Sequence, residues 1–397
     1  MLQFPNCKIN IGLNILRKRE DGYHDLATIF YPIPLHDNLE IQRISEKDEP
    51  YRLLLSGNKI EGNPEINLIA ELIDNADEAY TIVKRALNQH IPVVSGNKKM
   101  LAHHLNELIE LQKQTNTALL YDASACGSIP VIRNLEEYYD NDLLVSVKGI
   151  LNGSSNFILS KIFNESMDYP KALKLAQDLG FAESNPSLDI DGYDSVFKLI
   201  IITIHAFGCY VAPEDIFTYG ISSMNDYDIK FAHEKERRIK LVAHVEKLES
   251  GEIIMSVMPH LISRNKYIYS VEDEFNGVVI KGQFYYKQFM FGRGAGGHPT
   301  GSAVLSDITA CLYDYKYEYK KLNSDHKVKY TNNHDVRIYL RYSTDSDLAL
   351  FSFKEIYERY DSRDNKYVVG LISLADLLRI NEEIRHRKLF LSVFPYD

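Results

Sequence analysis

Between residues 66 and 150 apolar runs of strand length alternate with segments of helical spacing, and this alternation limits the fold more than any other feature of the chain. INLIAELID (66–74) reads as a short buried strand, DEAYTIVKRAL (77–87) as a helix, IPVVSGN (91–97) as a strand and MLAHHLNELIELQKQ (100–114) as a helix. A strand with a Gly-Ser-Ile-Pro turn follows at 118–130, then an acidic helix near 131–141 and the strand DLLVSVKGIL. Strands separated by helices have room for crossovers but not for hairpins, so they predict βαβ units and a parallel sheet. NGSSNFILSKIF then predicts a helix capped by Ser154 or Ser155.

Either side of this core the texture changes. KINIGLNIL (8–16) alternates like a half-buried strand, 28–42 suggests more strand, and the turn-rich stretch 43–65 marks a boundary. The tail, 327–397, predicts strand (VRIYLRYS), helix (FKEIYERY), strand (KYVVGLIS), helix (LADLLRI) and strand (LFLSVF), a small α+β module. The 397 residues allow two or three domains. A net charge of −10 without a basic run argues against nucleic acid or an anionic membrane as partner. Cys7, Cys126, Cys209 and Cys311 lack metal-ligand spacing and read as reduced thiols. The longest apolar stretch, near 199–207, is too short to span a bilayer, and no secretion signal opens the chain. A cytoplasmic protein is expected.

Four stretches hold residues suited to chemistry. In GFAESNPSLDIDGYDSVFK (180–198), Glu183, Asp189, Asp191 and Asp194 precede Lys198, after which the chain turns wholly apolar. Asp194 and Lys198, four apart, share a helix face. They form either a solvated pair worth little or a site, because an ammonium buried in an apolar helix needs a partner and a reason. FGRGAGGHPTGSAVLSDI (291–308) satisfies Gly-x-Gly-x-x-Gly at Gly292, Gly294 and Gly297, but Pro299 and the lack of a βαβ context argue against the dinucleotide fingerprint. It is a tight turn or an anion cradle. VVSGNKKML (93–101) puts Lys98 at the carboxyl edge of the sheet, where ligands of α/β proteins bind or where a lysine simply meets water. YDASACGSIPVI (121–132) is a cation loop or a bend.

With NKK (97–99), GILNGSSNF (149–157), AESNPSLDIDGYDSVFK (182–198) and GRGAGGHPTGSAV (292–304) in this order, residues 67–397 resemble the homoserine dehydrogenase family. The resemblance implies a truncated Rossmann-like parallel sheet (66–120), an α+β catalytic and dimerisation domain (121–300), a helix returning to the nucleotide domain (301–323) and a small α+β module (324–397), faintly like a regulatory amino-acid-binding unit. It implies reduction of aspartate semialdehyde to homoserine with NADP or NAD, with Lys198 as general acid and Asp194 as its partner. Glu183 and Asp189 would hold the substrate's amino group, Gly153 and Ser154 line its pocket, and Lys98 and Gly296 touch the cofactor. Main-chain carbonyls of Asp122, Ala125, Gly127 and Ile129 match a sodium-binding loop, and a homodimer is the family habit. Asn185, Asp122, Cys126, Ser128 and Gly301 depart from the pattern, at no proposed catalytic side chain.

Residues 1–65 contain no strand, Gly-rich turn and helix for a pyrophosphate. PNCKINIGLNILRKREDGYHDLATIFYPIPLHDNLEI instead resembles the start of 4-diphosphocytidyl-2-C-methylerythritol kinase, with Lys8 matching its active-site lysine and Tyr23 and His24 its cytidine contacts. The chain then reads as a kinase fragment fused to a dehydrogenase that has lost its first βαβ unit, with cofactor binding weakened. The alternative is a non-catalytic dimerising or amino-acid-sensing remnant.

Overall fold

The computed structural model describes residues 68–141 and 143–395, together with the backbone of four strands nearer the start. Of these, β1 (Asn6–Lys18) and β2 (His24–His36) pair antiparallel, as do Leu2–Gln3 and Leu39–Glu40. The side chains of Lys8 and His24, and Tyr23, on which the kinase resemblance rests, lie outside the described residues.

From residue 68 to 120 the alternation folds as expected, whereas the strand Leu144–Ile150 lies antiparallel to both its neighbours in a second sheet. β3 (Ile69–Glu71), α1 (Ala76–Asn88), β4 (Val93–Ser95), α2 (Lys98–Thr115) and β5 (Leu119–Leu120) form a three-stranded parallel sheet with Ile69 opposite Val93 and Val93 opposite Leu119. Asparagines start both helices: Asn75 accepts from the N–H groups of Asp77 and Glu78, and Asn97 from that of Met100. The strand expected over 118–130 is only two residues long. A helical turn, Ala123–Cys126, and a chain reversal replace the rest, because Ser124 turns back to hydrogen-bond the Tyr121 carbonyl through both its N–H and its hydroxyl.

A second, larger sheet carries most of the remaining chain. Its strands are β6 (Leu144–Ile150), β7 (Arg237–Lys247), β8 (Ile253–Ser263), β9 (Phe275–Gly282) and β10 (Tyr286–Arg293). Three helices accompany them: α3 (Gly153–Glu165), α4 (Tyr193–Phe207) and α5 (Gly297–Cys311). The tail adds β11 (Asp335–Tyr342), β12 (Glu355–Asp361), β13 (Lys366–Ser373) and β14 (Phe390–Val393). The order is β10-β9-β6-β7-β8-β14-β11-β13-β12, with Phe217–Thr218 also paired to β8. The four tail strands alone run 4-1-3-2, a split βαβ arrangement, and join the rest where His260 pairs with Val393.

Two expectations fail here. FKEIYERY is strand β12, not a helix. Its β-branched and aromatic residues pair antiparallel with β13 around a bulge at Ile356/Glu358, and tertiary pairing outweighs local spacing. The cap of α3 is Asn152, whose side chain accepts from Ser155 N–H, rather than Ser154 or Ser155.

α4 is the centre of the core. Every residue from Asp194 to Phe207 is buried, and glycines in the left-handed region, Gly192 (φ 93°) and Gly208 (φ 66°), close both ends. Each fully buried Leu or Ile contributes roughly 1.5–3 kcal/mol, so Leu199, Ile200, Ile201, Ile202 and Ile204 hold this helix rigidly against neighbours on all sides. Whatever its first turn carries is fixed in place.

Candidate active site

That first turn carries Asp194 and Lys198. The ammonium of Lys198 donates to Asp194 Oδ2 at 2.8 Å and to the Leu151 carbonyl at 2.7 Å, and its side chain is 7% exposed. The other oxygen of Asp194 accepts from Lys98, which enters from the start of α2 at 2.9 Å and is 43% exposed. Burial pushes the Asp194 carboxyl up, but the charges of Lys198 and Lys98 and the Asn152 amide overcome it and hold the group well below the usual carboxylate range. The same ion pair raises Lys98 above the ordinary lysine value, against its desolvation. The centre is therefore one buried carboxylate gripped by two ammonium groups.

Asp189, from the helical turn Ser187–Ile190, completes it. Asn152 Nδ2 donates to Asp189 Oδ1 at 2.6 Å and to Asp194 Oδ2 at 2.9 Å. Burial and the charge of Asp194 raise Asp189 above the ordinary aspartate value. The cluster opens on a cleft of about 310 Å³, lined by Asp74, Lys98, Lys99, Glu183, Asp189 and Asp194 among others. Lys198 lies behind Asp194 rather than in the lining.

The glycine-rich stretch and the 121–132 loop meet each other beside this cluster. Ser128 donates to the Arg293 carbonyl through N–H (3.1 Å) and hydroxyl (3.0 Å). A Cβ on Gly127 would come within 2.7 Å of the Gly294 backbone, and one on Gly294 within 1.8 Å of the Asn276 amide, so neither position has room for a side chain. Asn276 in turn donates at 2.9 Å to the Leu151 carbonyl that holds Lys198. Gly153 sits against the Glu274 carbonyl, and the Ser154 hydroxyl donates to that of Phe181. Gly296 starts α5 (φ 111°) and is not among the cleft-lining residues.

The expected cation loop is held by other bonds. The carbonyls of Asp122 and Ile129 accept from Ala125 N–H (3.4 Å) and Val131 N–H (2.8 Å). Burial and the neighbouring Asp307 push the Asp122 carboxyl up to about 7. Among the described residues no group of three His, Cys, Asp or Glu is placed to hold a metal.

Comparisons with known proteins identify the family. The homoserine dehydrogenase family model matches residues 130–309. The homoserine dehydrogenase of Helicobacter pylori is 36% identical over 312 residues, 76% of this chain and 73% of that protein. The chain belongs to the homoserine dehydrogenase family. The homoserine dehydrogenase of Lactococcus lactis is 32% identical over 72% of this chain, which spans 66% of that relative's length. Among solved structures, the homoserine dehydrogenase of Thiobacillus denitrificans superposes with a TM-score of 0.71 at 27% identity, over 84% of this chain and 83% of that one. A hyperthermophilic archaeal homoserine dehydrogenase mutant in complex with NADPH gives 0.55 at 29% identity, over 64% and 73%.

Sequence reasoning singled out Asp194 and Lys198, which the structure brings together, and named Lys98 without its partner. It missed Asn152 and Asn276. Asn152 lies within the GILNGSSNF stretch, where Asn caps a helix as well as Ser does. Asn276 had no local signal. No described helix is long and apolar enough to cross a membrane.

Proposed function

We propose that this chain is an NAD(P)-dependent oxidoreductase that reduces L-aspartate 4-semialdehyde to L-homoserine, serving threonine, methionine and isoleucine synthesis in the cytoplasm. The observation that carries the reading is the ammonium of Lys198, buried and fixed by Asp194 and the Leu151 carbonyl next to an acid-lined cleft. Lys198 holds a proton at Nζ and delivers it to the aldehyde oxygen as that oxygen gains charge. Asp194 keeps the lysine charged and aimed. Glu183 and Asp189 bind the substrate's ammonium, and their loop lies across the cleft from Lys98. Gly153 and Ser154 shape the turn behind them.

The cleft's volume, at the small end of the roughly 300–1,000 Å³ range of ligand sites, suits the reacting ends of two molecules rather than a whole dinucleotide. Gly96, Asn97 and Lys98 at the start of α2, with Gly296, would hold the nicotinamide end. NAD(P)H, when bound there, supplies the hydride. The donor set fits that end, and the NADPH complex of an archaeal relative supports the choice of cofactor. No Gly-x-Gly-x-x-Gly turn occurs in residues 1–65 to cradle the pyrophosphate, so we expect weakened cofactor affinity. Sodium at Asp122, Ala125, Gly127 and Ile129 has only main-chain oxygens behind it, and no step depends on it.

Dimerisation through the 121–300 domain is supported by β10, an edge strand with Phe289 and Phe291 exposed and Tyr267 stacked on Phe289. The net charge gives no reason to expect nucleic acid. We read 66–120 as the partial nucleotide domain, 301–323 as the return to it, 324–397 as the appended module and 1–65 as the kinase-like fragment, without kinase activity. The 4-1-3-2 sheet of the tail favours one second reading, a non-catalytic dimerising or amino-acid-sensing protein. Mixing the purified chain with NADPH and aspartate semialdehyde and following nicotinamide absorbance separates the two. Decay that Lys198→Ala abolishes supports the enzyme; no decay at saturating NADPH refutes it.

A further inference from the structure

Two carboxylates that face one cleft repel each other, and one of them ordinarily takes up a proton. Asp189 and Asp194 are in this position, yet the proposed chemistry requires both charged: one to bind an ammonium, the other to hold one. The residue between them is Asn152, 4% exposed. Its side-chain nitrogen has two N–H groups and spends one on Asp189 Oδ1 (2.6 Å) and one on Asp194 Oδ2 (2.9 Å). Its oxygen accepts from Ser155 N–H at 2.8 Å. That last bond fixes which way the amide faces, since turning it over would set donor against donor at the helix start. The preceding residue's carbonyl is the one that holds Lys198.

We propose that Asn152 is a positioning residue of this site: its amide stands between Asp189 and Asp194, keeping both carboxylates ionised and apart, while its oxygen locks that amide to the first turn of α3. This rests on the oxidoreductase reading. The charged and titratable groups facing the cluster are Lys198 on α4, Lys98 on α2, Cys126 on the 121–132 loop, and Asp74, Lys99 and Glu183 around the cleft. Of these only the two lysines lie within ion-pair distance of Asp194, and among the described residues no lysine lies within that distance of Asp189. Of the groups that favour the charged form of Asp189, the Asn152 amide acts most strongly, ahead of the charge of Lys198 and the Ser154 hydroxyl.

Asp and Ser are both good caps, so Asn152→Asp and Asn152→Ser keep the helix start and remove the shared donor. In Asn152→Asp kcat/KM falls about 100-fold at pH 8, and in Asn152→Ser about 10-fold, the range expected when a reacting group loses its placement. In both, KM for aspartate semialdehyde rises. The ratio of Asn152→Asp to wild type recovers as pH is lowered towards 6, because a proton shared among three carboxylates restores a donor. A purely structural cap predicts wild-type kinetics in both variants and a pH-independent ratio, and that result overturns the proposal. A readout independent of turnover is the carboxyl 13C titration of Asp189 and Asp194 in aspartate-labelled protein, assigned with Asp189→Asn and Asp194→Asn. Midpoints that move up in both variants support the positioning role even if the wild type does not turn over, in which case the oxidoreductase reading alone falls. Midpoints that stay put overturn the role whatever the kinetics. Should Asn152→Asp fail to fold, Asn152→Ser decides by the same two readouts.

Discussion

Two buried aspartates in this molecule each meet a buried cation, and they behave in opposite ways. Asp228 is fully enclosed. It accepts both contacts of Arg341 Nε (2.9 and 3.0 Å), the Tyr339 hydroxyl (3.0 Å) and Asn225 N–H (2.8 Å), while Arg341 also donates to the carbonyls of Ser223 and Lys388. Burial outweighs these partners and leaves the Asp228 carboxyl above its ordinary value. Asp194 has two lysines, one of them partly exposed on a cleft, and is held below its ordinary value. In the first network every nitrogen of Arg341 has a partner, and the pair ties the tail to the helix Asp226–Glu234. The second sets two ammonium groups on one carboxylate and is open to a cleft on one side. A closed buried pair is architecture, and an open one is equipment for a reaction.

Substitutions test this contrast. The largest effect is expected from Lys198→Ala, which removes the proposed proton donor and lowers kcat per folded molecule by about 100- to 10,000-fold, read by initial rates and calorimetry together. Arg341→Met is its mirror image. It leaves Asp228 buried without its cation and costs about 3–5 kcal/mol in denaturant unfolding, while the rate per folded molecule stays near wild type; a selective loss of rate would erase the distinction. Lys98→Met comes next. It removes one of the two cations on Asp194, so kcat/KM drops by roughly 10- to 100-fold, the size of a lost placement.

A pH effect sharpens the contrast further. Asp194 is depressed, so its stabilising contribution is present above the ordinary carboxylate range and is lost as pH falls through its lowered value. Asp194→Asn therefore flattens the acid limb of a stability profile. Asp122 has the opposite sign. Its carboxyl sits at about 7, so between the unfolded value near 4 and 7 the folded state binds the extra proton and stability declines as pH rises. Asp122→Asn removes that decline and raises Tm at pH 8 by a few degrees, the smallest of these effects.

Legibility in the sequence followed the range of the interaction. Asp194 and Lys198 were visible because an i,i+4 pair lies on one helix face, and the parallel sheet was visible because burial on both faces leaves short apolar runs. Lys98 was legible as a strand-end lysine, but its bond to Asp194 spans 96 positions and no local pattern encodes it. Asn276 holds the Leu151 carbonyl across 125 positions and was invisible for the same reason. β12 was misread because EIYERYD has helical-looking charges, whereas its partner strand, which begins five positions on, determines its state. Asn152 was overlooked through a different fault: three good capping residues, Asn152, Ser154 and Ser155, stand within four positions, and only the backbone decides which of them caps.

β14 has a consequence for the intact chain. It is four residues long, close to the carboxyl end, and it alone stitches β8 to β11. A protease that clipped the chain just before Phe390 would leave both neighbours with unsatisfied amides and carbonyls along one side, each a template for a strand from another molecule. Preparations nicked at that point should therefore cloud and precipitate before they lose their helices.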